Sequence, residues 1–360
     1  MKFGVCIASD ISDIDYVVAA EEMGYCDAWF ADSQMIWSDC YATMALAAER
    51  TERIRIGTGV AITGTRPAPI TAAAIGTINV LAPGRTFLGV GAGNTAMRIM
   101  GAPPQKIADL ERYLTCLAPL LRGEETGWGE AGEEVPIRHI MRDQNFVNYS
   151  NPIPLYVSGF GPRSLGLAGC HGDGAVLPMP RNPAAMETLW SLIEGGAKNS
   201  GRLIDRDLYE TTALAMVSVL DPGETADSER IRHECGAFAM ATLHYAYDQW
   251  RQLSQPPPPM LAEIWDDYCA MLDKVPSERL HQRIHAGHNC WVVPEEERFL
   301  SGSLIEATCM VGTRDRLLER IDGLSDAGLN QIMVLPALEP RYSVLERLSK
   351  DLIAPLSELK

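Results

Sequence analysis

The chain has no stretch of about 18 consecutive apolar residues, so no transmembrane helix is expected. Basic residues are in short supply: 31 Lys and Arg against 47 Asp and Glu leave a formal net charge of −16. A surface of that sign repels phosphodiester backbones and anionic headgroups, which argues against nucleic acid or membrane as a partner. The nine cysteines are odd in number and include no CxxC pair. They read as free thiols, small buried hydrophobes in a reducing compartment, rather than as a disulfide framework or a zinc knot. The N-terminal segment MKFGVCIASD enters a strand directly and lacks the apolar core of a secretory leader, so a cytoplasmic location is expected. No internal repeat or low-complexity tail stands out.

What is present is a rhythm. With 46% hydrophobic residues, the 360-residue chain can bury a large core. Lys2 to Ala8 is apolar on both sides, as a parallel strand covered on both faces must be. A helix closed by Gly24 follows, then a strand at Ala28 to Ala31, a helix from Ser38-Asp39 through Ala48, and a strand from Ile54. Later strands are expected at Thr86 to Val90, Leu155 to Ser158, Ala175 to Leu177, Tyr209 to Leu220 and Gln331 to Leu335. Glu124 to Asn148 interrupts the pattern as a hairpin-like excursion. Regular strand–helix alternation over eight strands argues for α/β architecture: a single (β/α)8 TIM-type barrel domain over 1–360. Between strands 7 and 8, residues 224–305 read as a helical insertion, expected over the barrel mouth and broken by the stiff Pro256 to Pro259 run.

The organising stretch is Ile54 to Asn94, IRIGTGVAITGTRPAPITAAAIGTINVLAPGRTFLGVGAGN. It reads as strand, broken loop, small-residue helix, turn and strand, with glycine wherever a strand gives way to a loop. In such a barrel the chemistry sits at the carboxyl ends of the strands. The candidates there are Ser9, Asp32, Ser33, Ile62, Thr63, Gly91, Ala92, Gly93, Asn94, Ser158 to Pro162, and Pro178-Met179. Ser158-Gly159-Phe160-Gly161-Pro162-Arg163 opens a helix with bare backbone amides, a hydroxyl and a guanidinium, the parts of a phosphate site.

TGVAITGTRPAPITAAAIGTINVLAPGRTFLGVGAGN resembles the bacterial luciferase-like superfamily, nearest its F420-dependent methylenetetrahydromethanopterin-reductase-like branch. The stretches PLYVSGFGPR, Gly172-Asp173-Gly174, Val311-Gly312-Thr313 and Ala327 to Ile332 extend the likeness, while 224–305 shows nothing family-wide. The resemblance implies F420 or FMN as cofactor, with Ala61, Ile62, Thr63 and the Gly91 to Asn94 turn beside the ring. It further implies Ser158, Gly159, Gly161, Pro162 and Arg163 at the phosphate, and a non-prolyl cis peptide for which Ala61–Ile62 is the best match. Many deazaflavin relatives carry Asp-His where this chain has Asp32-Ser33, so the usual proton donor is missing. The family uses no metal, so none is expected here.

His281, His285 and His288 are spaced four and three apart, which puts them on one face if the segment is helical. His285 is the candidate for a substrate-side role, while His139, His171, His233 and His244 read as isolated. The sequence thus points to an oxidoreductase that exchanges a hydride between F420 or FMN and a small-molecule substrate, with Asp32, Ser33 and His285 as candidate catalytic groups. A reduced-FMN monooxygenase fed by a partner flavin reductase is the alternative, and a non-catalytic flavin-binding barrel a third. A homo-oligomer is expected, with the Ala-rich helices (Ala42 to Ala48, Ala72 to Ala74) as its face.

Overall fold

A computed structural model describes residues 1–358. Eight parallel strands close a barrel in sequential order: β1 (Lys2–Ile7), β2 (Asp27–Phe30), β3 (Arg55–Ile62), β4 (Thr86–Gly91), β5 (Leu155–Ser158), β6 (Gly174–Pro178), β7 (Glu210–Ala215) and β8 (Gln331–Val334), with β8 beside β1. Helices Asp15–Glu22, Cys40–Arg50, Ala68–Leu81, Ile107–Leu121, Pro162–His171 and Pro183–Asn199 alternate with the first seven strands. Their starts follow from local chemistry. The Asp39 carboxylate accepts from the amide of Ala42 at 3.0 Å, and Asn182 accepts from Ala185 at 2.9 Å. Pro183 then occupies a first-turn position, where a missing N–H costs nothing.

The inside of the barrel is filled, not hollow. Trp29, Phe87 and Tyr156 pack as a tilted aromatic triple, with centroids 4.3 to 5.5 Å apart. Gly57 makes this possible, since a Cβ there would sit 2.2 Å from the Phe87 ring. Beneath the aromatics, the first residues of five strands form a polar plug. Arg55 grips Asp27 through two bonds of 2.7 and 2.6 Å, and reaches Glu210 at 3.0 Å. Gln331 donates to Asp27 at 2.7 Å and accepts from the Trp29 indole at 2.9 Å. Lys2 completes the plug on Glu210. Buried charges of this kind are tolerated because each is paired.

The excursion after the fourth helix is a hairpin, Thr126–Trp128 paired antiparallel with Val135–Ile137. The long strand expected at Tyr209 to Leu220 is instead two. Glu210–Ala215 belongs to the barrel, whereas Val217–Val219 leaves it and pairs in parallel with Met310–Gly312. The run TTALAMVSVL holds no breaker and is buried almost throughout, so nothing local marks the change of partner.

The chain divides into two compact units. The first spans 1–97, 103–214 and 322–333; the second takes 98–102, 215–321 and the described residues from 334 onward. The second contains all of 224–305, with helices Glu229–Leu253, Ala262–Leu272, Leu280–Ile284 and Gly302–Thr308. Of the alanines expected at an oligomer face, Ala47, Ala48 and Ala72 are buried within this chain, because the second and third barrel helices pack against each other. No helix among the described residues is long and apolar enough to cross a membrane.

Candidate active site at the carboxyl ends of the strands

The site begins where β3 loses register with β4. Pairing shifts between Thr58 and Ala61, and the non-prolyl cis peptide lies inside that shift, at Gly59–Val60 rather than at Ala61–Ile62. Ala61 and Ile62 already pair in register with Val90 and Gly91 beyond the shift, so the resemblance pointed to the right strand and the wrong bond. Glycine is needed at 59 because a Cβ would come within 2.6 Å of Trp29 Cβ. Thr58 clamps the near side of the bulge by donating to the Gly89 carbonyl at 2.6 Å. Thr63 clamps the far side, with its amide and its hydroxyl each 3.1 Å from the Gly91 carbonyl.

Asp32, at the end of β2, is 3% exposed and fully engaged. One oxygen accepts from the amide of Ile62 at 3.2 Å, and the other lies 3.5 Å from the Arg66 guanidinium. Arg66 in turn binds Asp39 at 2.6 Å and lies over the Tyr41 ring at 4.9 Å. Burial works against the Arg66 charge, but its bond to Asp39 and the field of Asp32 outweigh it and hold the guanidinium above its usual range. Burial, followed by the nearby Asp32 carboxylate, pushes the Cys40 thiol well above the ordinary value. Ser33 is also buried, and its carbonyl accepts from Ile36 and Trp37 at 2.9 and 3.1 Å. Ser9 at the end of β1 bonds the Ala31 carbonyl at 2.9 Å.

At the end of β4, Gly91 and Gly93 keep side-chain volume away from the bulge. A Cβ on Gly91 would stand 2.8 Å from Val60 and 3.3 Å from Ser158; on Gly93, whose φ is +78°, it would strike Ile62 at 2.3 Å. Ala92 passes its carbonyl to the Gln105 amide at 3.0 Å, and Asn94 starts a short helix to Arg98. β5 ends at Ser158, and Gly161 is the N-cap of the helix Pro162–His171. The Gly161 amide donates to Ser164 Oγ at 3.3 Å, while the Gly159 amide donates to the Val176 carbonyl at 3.0 Å. Nothing lies within 4 Å of where a Gly161 Cβ would be, and Arg163 is exposed beside it. A ten-residue helix therefore presents its positive end to open space.

The structure thus brings Asp32, Ser33, Ala61, Ile62, Thr63, Gly91 to Asn94 and Ser158 to Arg163 to the same end of one barrel. His285 lies in the second unit, buried against Asp248 at 2.8 Å. The expected helical face does not form: the helix stops at Ile284, His285 caps it, and His288 follows in a turn through Gly287. Reading His244 as isolated was also wrong, because it packs beside His285 and His288. Sequence reasoning missed Arg66 and Gln105, which bond Asp32 and Thr63. Gln105 is 42 residues from its partner and carried no motif. Thr63, Arg66, Gln105, Asp109, Tyr113 and Trp128 also line a cavity of about 1140 Å³ between the β3 loop, the fourth helix and the hairpin.

Known proteins are similar to this chain in sequence and in fold. The chain is 26% identical to 5,10-methylenetetrahydromethanopterin reductase of Archaeoglobus fulgidus, with 99% of this chain and 100% of that one aligned. It is 32% identical to F420-dependent glucose-6-phosphate dehydrogenase of Beutenbergia cavernae, over 63% of this chain and 69% of the relative. Among solved structures, the coenzyme F420 dependent tetrahydromethanopterin reductase of Methanopyrus kandleri superposes with a TM-score of 0.68 at 19% identity, covering 98% and 99% of the two chains. The FMN complex of the oxygenating constituent of 3,6-diketocamphane monooxygenase from Pseudomonas putida gives 0.62 at 17%, covering 99% and 98%. These two show a shared fold. The family profile runs from the first residue of β1 to the first residue of β8, residues 2–331, and the chain belongs to the luciferase-like monooxygenase family of oxidoreductases.

Proposed function

We propose that this chain binds F420 or FMN at the carboxyl ends of its barrel strands and exchanges a hydride with a small organic substrate. The observation that carries the reading is the β5–helix junction, where Gly161 leaves the amide-lined start of Pro162–His171 facing open space. Both cofactors carry a phosphate, and that junction, with Ser158 and Arg163, fits one. The Cβ-free ends of β4 at Gly91 and Gly93 leave room beside the β3 bulge for a ring. When bound, either cofactor supplies the redox-active ring; the protein supplies binding, orientation and electrostatics.

In this reading Asp32 is a positioning residue. Its carboxylate holds the Ile62 amide and Arg66, so it ties the β3 bulge to the end of β2. Ser33 stands in the place of the histidine of many deazaflavin relatives. A serine hydroxyl relays a proton without holding one as an acid at neutral pH. The site therefore suits a substrate whose own hydroxyl, or solvent, completes the proton balance.

F420 is favoured over FMN because the Beutenbergia relative, similar over most of its length, is named for that cofactor. Anaerobic turnover with reduced F420 at the aerobic rate is the expected result. The serine after Asp32 favours a second reading, a monooxygenase using reduced FMN from a partner flavin reductase. Turnover that requires O2 and reduced FMN would establish that reading and overturn the first. A protein that binds a cofactor in an absorbance titration but turns over no substrate would leave the non-catalytic flavin-binding barrel, and one that binds neither would overturn all three readings. We also propose a homo-oligomer; sedimentation as a monomer at micromolar concentration would refute it.

A further inference from the structure

We propose that His244, His285 and His288 form a binding site for a divalent ion of the zinc type within the second unit, separate from the cofactor reading above. The three side chains come from the helix Glu229–Leu253 and from the turn after Leu280–Ile284. All are buried, at 2%, 4% and 5% exposure, and one ligand nitrogen from each lies within 4.8 Å of the others. Their rings meet edge to face, with centroids of 6.0 Å for His244–His285 and 5.5 Å for His285–His288.

The outer contacts are those a metal site requires. His244 Nε2 is bonded to Glu296 at 2.9 Å and His285 Nε2 to Asp248 at 2.8 Å. Each ring therefore spends one nitrogen on a carboxylate, and the Nδ1 atoms of His244 and His285 are buried with no hydrogen-bond partner. A ligating imidazole donates its second nitrogen to a carboxylate in the same way, which fixes its tautomer and raises its basicity. A buried acceptor left unmade is otherwise a cost to the fold, and there are two here. His288 Nε2 meets the Asn289 amide at 2.9 Å; with that amide turned to present its oxygen, the ring is oriented likewise.

The charges are balanced. Asp248 faces Arg98 at 3.8 Å and Glu296 faces Arg283 at 2.7 Å, so neither carboxylate is left to neutralise an extra proton. Three imidazoles and no thiolate suit zinc, cobalt, nickel or copper rather than calcium or magnesium. Bonds of about 2.0–2.1 Å put tetrahedral ligands about 3.3 Å apart, so the rings close in by up to roughly 1.5 Å on binding. A fourth, water-derived or anionic ligand completes the shell. The ion would clip the long helix to a turn 41 residues further on.

The test uses the full-length chain, stripped with a chelator and titrated with Co2+ and then Zn2+. Visible d–d bands of tetrahedral cobalt, saturating at one equivalent, are expected, without the near-ultraviolet band of a cobalt thiolate despite nine cysteines. Zinc at 100 times its dissociation constant should raise the melting temperature of the 360-residue chain by roughly 3–4 °C. Asp248→Asn should weaken binding about 10- to 100-fold, and His285→Gln more. No cobalt spectrum and no zinc-dependent melting shift in the wild-type chain would overturn the proposal without reliance on any variant. A thiolate band, or affinity undiminished in folded His285→Gln, would overturn it by placing the ion elsewhere.

Discussion

Gly161→Asp separates cofactor affinity from folding more cleanly than any other change in this site. Gly161 has an ordinary extended φ of −126°, and a Cβ there meets nothing within 4 Å, so a side chain enters without displacing a neighbour. Asp is among the best N-cap residues and Gly only slightly worse, so the helix should be as stable as before or more so, by a few tenths of a kcal/mol. The carboxylate would then stand where a phosphate is proposed. Two like charges about 5 Å apart repel by about 1 kcal/mol in bulk water and about 3 kcal/mol at an effective dielectric constant near 20. That range corresponds to a loss of affinity of roughly 5- to 150-fold. Gly161→Ser is the neutral control, equal as a cap and without charge. The assay is cofactor titration by absorbance or fluorescence, paired with thermal melting, at low and high salt. The Asp variant should bind weakly, melt normally and recover part of its affinity as salt screens the repulsion. If the Asp and Ser variants bind equally well in folded protein, the phosphate lies elsewhere and the reasoning fails.

The other perturbations probe the same barrel from different sides. Gly91→Ala puts a methyl group 2.8 Å from Val60 and 3.3 Å from Ser158; cofactor affinity should fall at least about 10-fold with a melting loss of a few degrees, and full loading would refute the assignment of β4. Asp32→Asn keeps an acceptor for Ile62 but removes a charge from Arg66, so kcat should fall less than about 10-fold with both limbs of the pH profile intact; a lost limb would make Asp32 the acid or base after all. Burial raises the Glu210 carboxyl, but Arg55 and Lys2 outweigh it and hold its folded value below the ordinary 4.5. A depressed carboxyl stabilises the fold above its unfolded value and loses that contribution as pH falls through the folded one. Glu210→Gln should therefore cost about 1–3 kcal/mol in urea unfolding at pH 7 and progressively less below pH 4.5, and an equal cost at both ends would refute the ion-pair account of the barrel plug.

Local chemistry determined much of this protein. Strands that read as continuous apolar runs became the covered parallel strands of a closed barrel, since burial on both faces is what such runs are for. Glycines at strand ends marked Gly91, Gly93 and Gly161, because each position either excludes a Cβ or, at Gly161, leaves open space at the start of a helix. The cap at Asp39 was legible because a cap acts within three residues. Tertiary structure decided everything that depended on partners far away in sequence. The run from Tyr209 to Leu220 has no internal breaker, so only its pairing with Met310–Gly312 revealed that it leaves the barrel. The position of the cis bond within the bulge, the hold of Asp32 on Ile62, and the link from Thr63 to Gln105 are set by strand register, which a single strand does not encode. The histidines make the point most plainly. Spacing grouped His281 with His285 and His288, but a helix that ends at Ile284 and a turn through Gly287 discard the first. In its place the fold brings His244 from another helix, 41 residues away, because burial in a shared core rather than periodicity brings side chains together.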